Sequence, residues 1–551
     1  MKRIYKIILP ALLLASFSCN ESEWLEEKPL DFYTPSNSFS NASDFNSAVA
    51  RIYQNVFPTL LNINSNEGRA MHYPTDLAWD AIDVTHDLNL YKDKLTPTTG
   101  IVQNVWSNLY RMVFDANVIL GRIDDTSITF ESEDQRNALK AEALFFRAFA
   151  YRTLGIIYGG VPIVLEEVTS PKRDFVRASK QEVMDQVILD LVFATENLPS
   201  VSELKEDGRL TKAAANHLLT EVYIITENYA GAIAAATKVI EDPNYRLMTE
   251  RFGSRSGEEG DVYWDLFRRD NQNRSSGNLE SIWVRQFEYL VEGGGADNPW
   301  PRFLVPMYWQ LTGSDGKNLF TGPLNQYGGR GIGWFAPTSH VKDGIWADGS
   351  NDMRNSSNNI IRDIVANNPQ SEFYGKKIVE SGAIDEFPNT LDRWWNVIFA
   401  KVAPIGNFPT EYVINAETGI VNGSANGMAT DQYIFRLAET YLLRAEAYLG
   451  QGDMANAAKD INALRNRANT TPVEPSNVDI DYILDERARE LAWEELRLVT
   501  LMRVGKLVER VNTYNPVTGD RIAPHQNLWP IPFREIETNT EAELEQNPGY
   551  F

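Results

Sequence analysis

From Ser179 onward, apolar residues fall at Val183, Val187, Leu191, Ala194 and Leu198, in steps of three and four, until Pro199 ends the run. That spacing places them on one face of a helix, and such a face must be covered by another element. Apolar periodicity of this kind predicts helices over roughly 40–60, 100–123, 132–158, 179–198, 211–241, 431–468 and 480–511. Ser179 with Glu182, and Ser132 with Gln135, have the residue pattern of capping boxes, which satisfy free backbone N–H groups at a helix start.

Two of these stretches repeat a helix-pair pattern. Leu219, Tyr223, Ala232 and Ala236 precede Pro243, and Tyr441, Ala445, Tyr448, Ala457 and Ile461 follow similar offsets. Tyr223 and Ala232 are nine positions apart, as are Tyr448 and Ala457. This is tetratricopeptide spacing, in which a small residue lets the second helix approach the first. Leu144, Ala148 and Tyr151 offer a third first helix, interrupted by Gly159-Gly160. Any one copy also reads as an ordinary amphipathic hairpin. Together they predict a mostly α chain, a tetratricopeptide-like helix-pair scaffold. Between about 250 and 430 the period is lost, and Gly, Asn, Pro and Trp dominate a large irregular, loop-rich insertion.

The chain opens with Lys2, Arg3 and Lys6 and a short apolar run, Ile7 to Phe17. That run is too short to cross a hydrocarbon layer of roughly 30 Å, so it reads as a secretory signal. Cys19, the only cysteine in 551 residues, stands where cleavage is expected. It is read as the lipid-bearing first residue of a bacterial lipoprotein; the alternative is plain secretion with a free thiol. The expected organisation is residues 1–18 as signal peptide, 19–30 as lipidated tether and 31–250 as an N-terminal helical part with an early binding loop. Residues 251–430 form the Trp-rich insertion, and 431–551 a C-terminal helical part. Residues 1–18 carry three positive charges and no negative ones, so a formal charge of −23 becomes −26 in the mature chain. That acidity argues against nucleic acid or an anionic membrane surface as partner.

Enzyme chemistry has little to stand on. The five histidines, at 72, 86, 217, 340 and 525, show no metal-ligand spacing, and neither a GxSxG elbow nor a phosphate-binding loop occurs. No catalytic residue, metal or cofactor is expected. Carboxylate pairs for glycoside hydrolysis stay open, because 75 acidic residues supply them by chance. The tryptophans say more. Eight of 13 lie between 264 and 395: Trp264, Trp283, Trp300, Trp309, Trp334, Trp346, Trp394 and Trp395. An indole face is an apolar plate for the C–H face of a sugar ring; the alternative for any one of them is a core plug. A second candidate region is the early stretch Met71 to Asp83, with the polar loop His86 to Lys94 behind it. The ligand-binding candidates are Trp79, Asp80, Asp83, Trp283, Tyr289, Trp300, Trp309 and Trp334, with at least two of the central tryptophans expected to be exposed.

Five stretches resemble the SusD/RagB family of outer-membrane lipoproteins. They are Lys140 to Ala148 continuing to Tyr158-Gly159-Gly160-Val161-Pro162; Gly208 to Ala215; Arg436 to Ala447; Glu486 to Leu491 with Arg497, Leu501 and Arg503; and Leu528 to Pro532 with Asn547 to Tyr550. Glu495 stands where the family commonly has Gly, and Thr500 where it commonly has Asp, which puts an inherited ion-pair network there in question. Arg147, Glu142, Arg444 and Glu446 read as charges that tie helices together. The resemblance implies a lipid-anchored protein on the outer face of the outer membrane. It would capture oligosaccharides and deliver them to a SusC-type TonB-dependent transporter, with a binding site drawn from the early loop and the central insertion. Peptide capture, as in RagB-like relatives, is an alternative ligand class. A lipid-anchored glycosidase and a tetratricopeptide-type assembly scaffold are the other function classes.

Overall fold

The computed structural model describes residues 39–551 apart from 289, 293, 295–297, 349–350 and 386–391. Cys19, the signal peptide and the tether lie outside the described residues. The principal helices are α1 (Ala42–Val56), α2 (Gly100–Leu120), α3 (Glu133–Ile157), α4 (Lys180–Asn197), α5 (Lys212–Ile225), α6 (Tyr229–Ile240), α7 (Leu437–Gly450), α8 (Met454–Arg467), α9 (Ile480–Leu491), α10 (Arg497–Arg503) and α11 (Leu507–Tyr514). Packing follows chain order, α2 on α3, α3 on α4, α4 on α5 and α5 on α6. Helix α7 then packs on α6 although the whole loop-rich interval separates them in sequence. The result is a mostly helical, tetratricopeptide-like stack interrupted by one excursion.

Small residues set the close approach of the pairs. Ala232 and Ala236 of α6 and Ala457 of α8 are fully buried. At the end of α7, a Cβ on Gly450 would meet the Tyr229 ring at 2.4 Å. The caps form largely as their residues suggest. Ser179 and Glu182 make a reciprocal box, and Ser132 accepts from the Gln135 N–H. The Gln135 side chain, however, accepts from the Glu131 N–H rather than from Ser132.

Two predicted helices break. The stretch from 431 begins as a strand, because aromatic Tyr433 and Phe435 alternate with period two. The strands are β1 (Ala78–Asp80), β2 (Ser281–Arg285), β3 (Phe335–Pro337), β4 (Ile360–Ile361), β5 (Ile398–Phe399), β6 (Val413–Asn415), β7 (Ile420–Val421) and β8 (Gln432–Arg436). Among the described residues they form four antiparallel pairs, β1 with β3, β2 with β8, β4 with β5 and β6 with β7. The stretch 480–511 divides into α9 and α10 around Trp493, whose φ of 69° is left-handed.

Two-pronged ion pairs clasp the helices. Arg147 holds Asp190 between α3 and α4, with both N–O distances at 2.7 Å. Arg444 holds Asp460 between α7 and α8 in the same way. Glu446 takes Arg503, and Glu142 takes Arg209 at 2.6 Å. Removing one partner of such a buried pair costs about 3–5 kcal/mol. The main apolar core runs through these helices, and a second core lies under the insertion, built from Tyr308, Leu311, Phe320, Ile364, Ile378 and Ile398 among others. That second core supports the surface described next.

Candidate functional site

The early loop is joined to the insertion by backbone pairing. Strand β1 lies antiparallel to β3, with Trp79 opposite Ala336 and Asp80 opposite Phe335. One step further, the Ala81 N–H donates to the Trp334 carbonyl at 2.8 Å. The two regions expected to share a site are thus neighbours, although about 250 residues apart in sequence.

Several candidate residues turn inward. Asp80 is fully buried. Its Oδ1 accepts from the Ile82 and Asp83 N–H groups at 2.9 and 3.3 Å, and its Oδ2 from the Tyr73 hydroxyl at 3.1 Å. Asp80 therefore shapes the turn and is not open to a ligand. Trp79 is buried beside Ala81 and Ala336, on a strand that is covered on both faces. Trp283 is a core plug, ringed by Phe145, Phe149 and Phe435 with centroids 5.6, 6.0 and 5.4 Å away. Trp300 is buried too, 4.8 Å from His72 and 6.0 Å from Trp493 by ring centres. These four positions correct the expectation of open side chains there. The indoles pack against side chains inside the fold and the Asp80 carboxylate has its hydrogen bonds there, although among the described residues Nε1 of Trp79 and of Trp300 has no hydrogen-bond partner. Tyr289 lies outside the described residues.

Three candidates face outward. Asp83 is exposed at the loop tip. Its carboxyl is held below the usual range by the Thr85 N–H and hydroxyl. Trp334 is half-buried, edge-on to Phe303 at 5.0 Å and under the Arg69 guanidinium at 5.4 Å. Trp309 is half-buried and anchored by its Nε1–H on the Gly331 carbonyl at 2.8 Å.

Trp309 and Trp394 line one open cavity of about 450 Å³, together with Gln310, Asn318, Phe320 and Thr321. Both indoles rest on the second core, so they are held rigidly while part of each stays accessible. Amide and hydroxyl groups beside two apolar plates make a lining suited to a polar, ring-shaped ligand. The segment from Arg330 to Trp334 connects this cavity to the early loop. Gly331 and Gly333 let it pass close by: a Cβ on Gly333 would meet the Arg393 carbonyl oxygen at 2.1 Å. Arg393 donates its Nε–H to the Ile332 carbonyl at 2.9 Å. Trp394 was among the eight central tryptophans but not among the chosen candidates. The doublet Trp394-Trp395 directly after Arg393 was the available signal.

Among the described residues no helix is long and apolar enough to cross a membrane. Two family models match the chain. One, described as "Starch-binding associating with outer membrane", covers residues 23–224, and one described as "SusD family" covers residues 279–550. A SusD-like protein P25 of Formosa agariphila is 25% identical over 97% of this chain and 96% of its own length. A solved "Laminarin binding SusD-like protein" superposes with a TM-score of 0.68 at 22% identity, over 93% of this chain and 100% of that one. Surface glycan-binding protein A from Bacteroides thetaiotaomicron, solved with laminarihexaose, gives 0.66 at 19% identity, over 92% and 100%. From the helical stack, the two family models and these likenesses together, the chain belongs to the SusD family.

Proposed function

We propose that this protein is a surface lipoprotein of the outer membrane that captures an oligosaccharide and passes it to a SusC-type TonB-dependent transporter. In this reading Cys19 carries the lipid, the protein faces the cell exterior, and binding occurs without turnover. The observation that carries the proposal is the cavity between Trp309 and Trp394, edged by Gln310, Asn318 and Thr321. Rigid aromatic faces give a sugar ring its apolar contact, while amides and hydroxyls replace the water around its hydroxyl groups. Such exchanges gain little each, about 0.5–1.5 kcal/mol, so the stacked rings dominate affinity. Family membership supports the reading, as do the glycan-binding titles of two structural neighbours.

The site extends from the cavity along residues 330–334 to the exposed tip of the early loop at Asp83. The test is a glycan array probed with the purified mature protein in detergent, followed by calorimetry on the hits. Binding of a defined oligosaccharide class, with the sugar recovered intact, is expected. Cleavage of the glycan, or binding of peptides with no glycan bound, would contradict the proposal.

A further inference from the structure

Three arginines flank the surface between Trp334 and the Trp309–Trp394 cavity. Among the described residues none of them has a carboxylate within ion-pair distance. Arg330 lies over the Trp309 indole, its Cζ 5.5 Å from the ring centre. Arg393 uses its Nε–H on the Ile332 carbonyl; its second terminal nitrogen (NH2) sits 3.6 Å from the Met307 sulfur, and its Cζ is 6.0 Å from the Trp394 ring centre. Arg302 lies over Phe303 at 5.5 Å, with its Nε buried and without a hydrogen-bond partner among the described residues. Arg330 lies on the segment 330–334, and the other two are tied to that segment through Ile332, Arg302 by its backbone and Arg393 by its side chain. The Arg302 carbonyl accepts from the Ile332 N–H at 2.7 Å, and the Ile332 carbonyl accepts from Arg393.

Many scaffold guanidiniums are instead clasped by acids, as in Arg147–Asp190, Arg444–Asp460 and Arg497–Asp76, or, like buried Arg268, donate to backbone carbonyls. The chain has 75 acidic and 52 basic residues, so acids to pair with are plentiful. Leaving partly buried guanidiniums without one has a desolvation cost. Burial pushes Arg393 below its usual pKa range, and Asp80 opposes this only in part. Asp80 is itself buried and committed to Tyr73 and two backbone N–H groups. Cation–π contact uses the guanidinium face, so Arg330 keeps its N–H fork open among the described residues, while Arg393 has already committed its Nε–H to Ile332 and one terminal nitrogen to the Met307 sulfur. A carboxylate or sulfate group accepts two such donors at once. The overall negative charge is screened beyond about 8 Å at physiological salt, so the nearby arginines set the local preference.

We propose that this site takes an anionic oligosaccharide, its rings stacked on Trp309 and Trp394 and its carboxylate or sulfate groups held by Arg330, Arg393 and Arg302. The inference rests on the glycan-capture reading and adds the charge class of the ligand. It is tested on the mature protein in detergent with three probe sets: neutral β-glucan oligosaccharides, oligouronates and sulfated oligosaccharides. The expected result is binding in one of the two anionic sets, weakened as salt rises. Arg330→Gln and Arg393→Gln each lower affinity about tenfold at an unchanged melting temperature. Arg330→Lys keeps the charge without the fork and falls between Gln and the parent. The oligouronate and sulfate arms identify the anionic group. If neutral oligosaccharides bind, with affinity sensitive to Trp309→Ala but not to any arginine substitution or to salt, the inference is overturned and glycan capture stands. If no set binds, both fall.

Discussion

Arg497 holds Asp76 through two hydrogen bonds, Nε–H to Oδ1 at 2.8 Å and a terminal N–H to Oδ2 at 2.7 Å, across 421 positions of sequence. Arg510 adds a third, to Oδ2 at 2.6 Å. Asp76 is fully buried two residues before β1, so this cluster pins the root of the early loop to α10 and α11. Its removal loosens the loop and the scaffold together.

Acid unfolding follows from that cluster. Burial by itself would raise the Asp76 carboxyl, but the Arg497 and Arg510 guanidiniums more than reverse it and hold the group well below the usual carboxylate range. Against the same burial, Arg487 and His217 hold Glu439 low, and Arg467 and Arg436 hold Glu490 low. A carboxylate depressed in the folded state stabilises above its unfolded pKa, near 3.9 for Asp, and that stability is lost as pH falls from about 5. Denaturant midpoints should therefore drop steeply below about pH 5. In Asp76→Asn they should start lower and fall less steeply. A parental acid slope in that variant would show that Asp76 is not one of the groups responsible.

Glu495 resolves the departure from the family pattern in the fourth element. Its carboxylate accepts from Arg487 Nε–H at 2.7 Å and from Arg497 at 2.8 Å, and the Thr500 hydroxyl donates to it at 3.1 Å. In this chain the carboxylate that joins Arg487 to Arg497 stands at 495, with the Thr500 hydroxyl donating to it. Glu495→Gly should cost about 3 kcal/mol, and Thr500→Asp alone should destabilise by crowding two acids. The double variant should recover at least about 1 kcal/mol of the summed loss. Strict additivity in chemical denaturation would count against the exchange.

Trp283 separates plug from plate. Trp283→Ala should cost about 3–5 kcal/mol, because it empties the pocket between α3 and β8, while the folded fraction keeps parental ligand affinity. Parental stability combined with lost binding would place Trp283 at the site instead.

The anchor is tested by Cys19→Ala expressed in the native host. The proposed acyl chains on Cys19 supply the attachment, so the variant should leave the outer-membrane fraction. Retention in that fraction would show that another attachment suffices.

The helical stack was legible because one apolar stripe per helix is a local property, repeated every three or four residues. The clasping ion pairs were half legible: Arg147 and Arg444 stood out, but Asp190 and Asp460 become their partners only when helices pack. Strand β8 was missed because its aromatic alternation lies directly before a strong helix. The tryptophans divided into buried plugs and partly accessible rings in a way the sequence could not sort. Whether an indole is a plug or a plate depends on what the fold brings to it, and Phe145 and Phe149 reach Trp283 from far away in sequence. Asp80 looked available beside Asp83, yet a two-residue turn puts one inside and the other out.

In the proposed function the sugar stacks on Trp309 and Trp394, which line the cavity. Calorimetry with the best oligosaccharide from the array, on the parent and on folded Trp309→Ala and Trp394→Ala, tests it most directly. A loss of about 2 kcal/mol or more is expected for each, as for anchors at protein interfaces, with a melting temperature close to the parent's. Parental affinity in both folded variants would contradict it.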